Sequence, residues 1–101
     1  MSEPITREQL VEFLRLIVEA IPNTSWDNAV QWNRIAYEKL FEYIGDEVLR
    51  DEFKRAAEAR DSDASRNIFN EIFDRLDDAE LQDLFLELAR VVYEYPQSRG
   101  N

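Results

Sequence analysis

Oxygen-bearing side chains at alternate positions open the segment Asp61-x-Asp63-x-Ser65-x-Asn67, the spacing a hard divalent cation requires of a calcium loop. The rest of such a loop is missing. Arg66 stands where a glycine would make the sharp turn, and Ile72 stands where a bidentate glutamate would close the site. An EF-hand is therefore excluded. What remains is a looser, acidic calcium-type site in the 61–80 region, built from Asp61, Asp63, Asp77, Asp78 and Glu80. Helix capping by Asp61 to Asp63 explains the first two residues without any ion.

Other catalytic chemistry finds little to work with. Glu71-x-x-Asp74 matches half of the carboxylate pattern with which all-α metal-dependent hydrolases hold their ions, but no E-x-x-E precedes it. Cysteine and histidine are both absent, which removes the thiolate nucleophile, the commonest general base and the usual zinc ligands. There is no Gly-rich phosphate loop and no serine beside a candidate base. The chain is expected not to be an enzyme and to carry no cofactor.

Binding chemistry is better represented. The densest acidic run is Asp74, Asp77, Asp78, Glu80, Asp83 and Glu87. Asp77, Asp78 and Glu80 suit the first turn of a helix, where the macrodipole favours negative charge. Asp83, Glu87 and Glu94 lie beyond that turn on one stripe and suit a basic partner. A second feature is apolar. At 100° per residue from Trp26, the residues Trp32, Ile35, Lys39 and Tyr43 fall outside the arc that one core-facing side would fill. Either that helix is central to the bundle, or Trp32, Ile35 and Tyr43 form a ridge for a partner or for a second copy of the chain. Leu86 and Tyr93 repeat the feature more weakly further on.

The elements that must position these groups are helices. Thr6-Arg7-Glu8-Gln9 reads as a capping box, and Leu10, Phe13, Leu14, Ile17, Val18 and Ile21 follow at helical spacing until Pro22. Asn23-Thr24-Ser25 caps a second helix lined by Trp26, Ala29, Val30, Asn33, Tyr37, Leu40, Phe41 and Ile44. Gly45 suits a left-handed helix end, and Asp46 caps a third helix reaching about Arg60 on a thin stripe of Leu49, Phe53, Ala56 and Ala57. Glu47 with Arg50, and Asp51 with Arg55, stand at pairing distance along its outer face. Ile68, Phe69, Ile72, Phe73 and Leu76 mark a fourth helix. Asp77 is the expected cap of a fifth, which uses Leu81, Leu84, Phe85, Leu88, Val91, Val92 and Tyr95 before Pro96.

The expected fold is thus an all-α, single-domain bundle of about five short amphipathic helices over 1–95, with 96–101 a mobile tail. Strand-period alternation is absent, and 101 residues leave no room for a second domain. Phe13, Leu14, Ile17, Leu40, Phe41, Phe69, Phe73, Leu84, Phe85 and Leu88 are the expected core.

Twenty-two acids against 12 bases give a net charge of −10. Such a field opposes direct nucleic-acid and anionic-membrane binding and speeds encounter with basic proteins. No apolar run approaches the ~18 residues of a membrane span, and Met1-Ser2-Glu3-Pro4 lacks the parts of a signal peptide, so the expected location is cytoplasmic. The sequence points to a small acidic protein-binding module of the inhibitor or immunity type that docks a basic partner.

Overall fold

A computed structural model describes residues 4–98, with side chains described as far as Tyr95. Five α-helices follow one another: α1 (Arg7–Ala20), α2 (Trp26–Ile44), α3 (Glu47–Ala59), α4 (Ser62–Arg75) and α5 (Ala79–Ser98). A 3-10 turn, Ile21–Asn23, joins the first two, and no strand occurs among the described residues.

Local chemistry sets the helix ends. The Thr6 hydroxyl accepts the Gln9 N–H while the Gln9 side chain accepts the Thr6 N–H, closing the capping box. Ser25, Asp46 and Asp61 each accept an N–H from the first turn of the helix that follows. Pro22 does not end the helical path outright. It tightens it into the 3-10 turn, because its fixed φ fits a helix even though it offers no N–H.

Two ends differ from expectation. The cap of α5 is Asp78 and not Asp77: one oxygen of Asp78 accepts the N–H groups of both Glu80 and Leu81. Helix α5 also runs through Pro96 to Ser98, since a single missing N–H near a helix end is a local loss. The remainder of the expected tail, 99–101, lies outside the described residues, as do residues 1–3.

Left-handed conformations close α2 and α3. Gly45 has φ 77° with open space where a Cβ would stand, and Arg60 has φ 54°. The Asp61 N–H bonds the Ala56 carbonyl and the Arg60 N–H bonds that of Ala57, which is a Schellman ending. Gly45→Ala is expected to cost about 1 kcal/mol and Arg60→Gly to add about 1 kcal/mol, since a Cβ is penalised in this region. Urea midpoints moving in opposite directions would verify both.

Helices α1, α2 and α5 pack on one another around the 3-10 turn, while α3 and α4 form a hairpin laid against that trio. The two parts are joined by rings. Tyr37 of α2 stacks on Phe53 of α3 at 4.7 Å, and Phe69 of α4 stacks on Phe85 of α5 at 4.4 Å. Tyr37 also meets the edge of Phe85 at 5.8 Å, so the five-ring cluster with Phe41 is continuous.

The buried core contains Leu14, Ile17, Leu40, Phe41, Phe85 and Leu88 as the stripes imply, together with Leu10, Ile21, Ile72, Leu76 and Leu81. Phe13, Phe69, Phe73 and Leu84 are only partly buried, at the margins of their stripes. On α2 the buried arc is rotated from the expected one. Ala29 is buried as expected and Ala36 is buried with it, while Trp26 and Val30 are exposed, because the small residues let α1 approach closely and the large ones fall on the side beyond it. Trp26 still rests on Tyr95 at 5.0 Å, and the Tyr95 hydroxyl donates to the Thr24 carbonyl at 2.5 Å.

Candidate functional site

The five carboxylates of the calcium reading do not come together. Asp61 and Asp63 stand at the start of α4 and the other three stand beyond its end, with 14 residues or ~21 Å of helix between them. Asp61 is occupied as a cap. Among the described residues no group of three acids could hold a metal ion.

Asp78 and Glu80 are engaged elsewhere. The Arg7 guanidinium donates to both oxygens of Asp78, at 2.5 and 3.0 Å, and to Glu80 at 2.7 Å, and Arg15 also donates to Glu80. This network ties the start of α1 to the start of α5. The Arg7 hydrogen bond holds the Asp78 carboxyl down at about 2, with help from the Leu81 and Glu80 N–H groups, and Arg7 itself is pushed upward. A carboxyl depressed by folding stabilises the native state above its unfolded value of 3.8, and that stabilisation is lost as pH falls from there toward 2. The Asp78 contribution to the melting temperature is therefore expected to be independent of pH near neutrality and to be lost between about pH 4 and 2. Asp78→Asn should flatten that fall. An unchanged acid profile in this variant would show that the network does not form in solution.

On α5, Asp83, Glu87 and Glu94 share the outward face, but Arg90 stands among them. It donates to Glu87 and, at 2.7 Å, to Glu94, and it lowers the Glu87 carboxyl below its usual range. Asp83 is exposed. The stripe is thus partly neutralised by its own helix. On α3 neither expected pair forms; Arg50 lies 3.9 Å from Asp51, and Lys54 3.9 Å from Glu38 on α2.

Of the apolar ridge, Trp32 is 39% exposed and Ile35 41%, while Tyr43 packs partly against the core. Tyr37 and Phe41 occupy the flank of α2 that meets α3, so helical spacing puts Trp32 and Tyr43 on the opposite flank, the one turned to α1. Helix α1 runs antiparallel to α2, with the Ile5 N–H bonded to Glu42 at 2.9 Å. Its Arg7 and Arg15 mark the flank facing α5, which leaves Leu16, 61% exposed, on the flank facing α2 and level with Trp32. Leu16 and Trp32 therefore border one outer seam, while Ile35 lies on the adjoining outer face of α2, where it lines a depression with Asp27, Val30, Gln31 and Arg34.

Sequence reasoning did not single out the charges beside this seam. Glu8, Glu12 and Glu19 lie along the exposed face of α1, and none holds an ion pair among the described residues. Their spacing was readable, but the denser acidic run further along the chain draws attention first.

No protein-family model, curated protein or solved structure matches the chain. Among the described residues, no helix is long and apolar enough to cross a membrane.

Proposed function

We propose that this protein is a non-catalytic docking module whose partner is a basic protein, in the manner of an inhibitor or immunity protein. The supporting observation is the α1–α2 seam, where Leu16 and Trp32 stand exposed, with Ile35 on the adjoining face of α2 and the unpaired carboxylates Glu8, Glu12 and Glu19 along α1. A large aromatic group with aliphatic neighbours and a polar rim is the usual anatomy of an interface centre. The surrounding field has the matching sign. Residues 1–33 and 67–101 hold thirteen acids and five bases, and they include α1 and α5. A basic partner is steered by that charge and held by the seam. The acids of α5 add to the field even where Arg90 offsets them.

The test begins with capture of a partner at low salt and its release at high salt, followed by affinity measurements with purified components. Trp32→Ala is expected to weaken binding about thirtyfold, the effect of losing a central aromatic anchor. Neutralising Glu8, Glu12 and Glu19 together to Gln should slow association and flatten its salt dependence. Binding that ignores both changes would sink the proposal. A dimer in sedimentation that is lost in Ile35→Glu would instead assign the seam to a second copy of the chain.

A further inference from the structure

The basic residues of this acidic chain are not used alike. Arg7, Arg15, Arg75 and Arg90 each hold a carboxylate through a hydrogen bond. Arg34, Arg60 and Arg66 hold none among the described residues. These three border the same feature, a groove running between α2 and α3 and on to the start of α4. Two depressions of about 520 and 530 Å³ make it up, and Tyr37, Phe53 and Ala57 line both. Arg34 and Lys54 stand on the first part, and Arg60, Arg66 and Phe69 on the second.

Other groups face the groove. Glu38 and Glu58 line its first part, with Glu38 3.9 Å from Lys54. Arg50 lines it too, and the Nε of Arg50 is a buried nitrogen with no hydrogen-bond partner. The Tyr37 hydroxyl also has no hydrogen-bond partner among the described residues, and burial pushes its pKa up to about 12, so it remains a donor. The floor is therefore aromatic, the rim carries more cation than anion, and several donors lack acceptors.

We propose that the groove between α2, α3 and α4 receives an acidic amphipathic helix from a protein partner. Its apolar residues, spaced one helical turn apart, rest on Tyr37, Phe53, Ala57 and Phe69, and its carboxylates meet Arg34, Arg60 and Arg66. Charge complementarity selects this occupant. In a chain of net charge −10, a run of unpaired guanidinium groups around an aromatic floor is a local reversal of sign. A nucleic acid would also meet cations here, but it would meet Glu38 and Glu58 and the repulsion of the remaining surface as well. The groove adjoins the outer face of α2, where Arg34 and Ile35 line one depression, but it does not depend on the assignment of the α1–α2 seam. A chain using both surfaces would bring a basic and an acidic protein together.

The experiment uses the full chain and three fluorescein-labelled probes. One is a designed helical peptide with leucines at i, i+3, i+4 and i+7 flanked by glutamates. The second has the same leucines flanked by lysines, and the third is a thymidine oligonucleotide. Anisotropy is expected to show the glutamate peptide binding at least about tenfold tighter than the lysine peptide, against the net charge of the protein. The combined variant Arg34→Gln, Arg60→Gln, Arg66→Gln should weaken it by about tenfold or more with an unchanged circular dichroism spectrum. Ala57→Glu, at an exposed position, should abolish it, whereas Trp32→Ala should leave it intact. Equal or tighter binding of the lysine peptide or the oligonucleotide, no binding of any probe, or indifference to the triple variant would each overturn the proposal.

Discussion

Replacing Phe85 with alanine is expected to lower the melting temperature by at least about 12 °C, leaving a marginally folded protein. Phe85 is fully buried and meets rings from two other helices, Phe69 at 4.4 Å and Tyr37 at 5.8 Å. Truncating a buried phenylalanine typically costs about 3–5 kcal/mol through lost transfer energy and the cavity left behind. A domain of this length holds only about 5–15 kcal/mol in total, and each kcal/mol moves its melting point by about 4–8 °C. Phe73→Ala makes the natural comparison. That ring is only partly buried, so its loss should cost clearly less. Thermal melts followed by circular dichroism would separate the two. Equal shifts would mean that the ring cluster does not join the hairpin to the trio as described.

Ala36→Leu is expected to destabilise the fold by about 1–3 kcal/mol although it adds apolar surface. Ala36 has no exposure at all, and with Ala29 it faces the flank of α2 against which α1 packs. Extra methyl groups there must push α1 outward or force a strained rotamer. Leucine and alanine differ little in helix propensity, so the loss would report packing. The check is the urea midpoint at constant slope. Ile35→Ala, one residue away but exposed, should stay within about 0.5 kcal/mol of the parent. If Ala36→Leu proved as stable as the parent, the α1–α2 contact would have to be looser than it stands here.

Helix number, order and most caps were legible because they depend on neighbours in sequence. Thr6 needs only Gln9, and Asp46 needs only Leu49. The rotation of α2 was not legible for a related reason. Periodicity weighs large apolar residues, so Trp26 and Val30 outweigh Ala36, whereas close helix contact favours the small residue. The slip of the α5 cap from Asp77 to Asp78 has the same character. Arg7, 71 positions earlier, grips Asp78, and no local pattern announces that partner. For the candidate seam, Trp32 and Ile35 could be read from the excess width of one helix, while Tyr43 turned partly inward. Which acids remain unpaired depends on which arginines reach them, and only the packed helices decide that.

The trio of helices is completed by its last member, and this orders events during synthesis. Helix α5 covers α1 and contributes Phe85 and Leu88 to the centre of the core. While α5 is still inside the ribosome, the α3–α4 hairpin can already close, because its contacts are local. Leu10, Leu14 and Ile17 can then be covered only on the side of α2, since α5 has not emerged. A nascent chain halted before Ala79 therefore shows the α5-facing side of α1 to chaperones, and emergence of the twenty residues of α5 withdraws it.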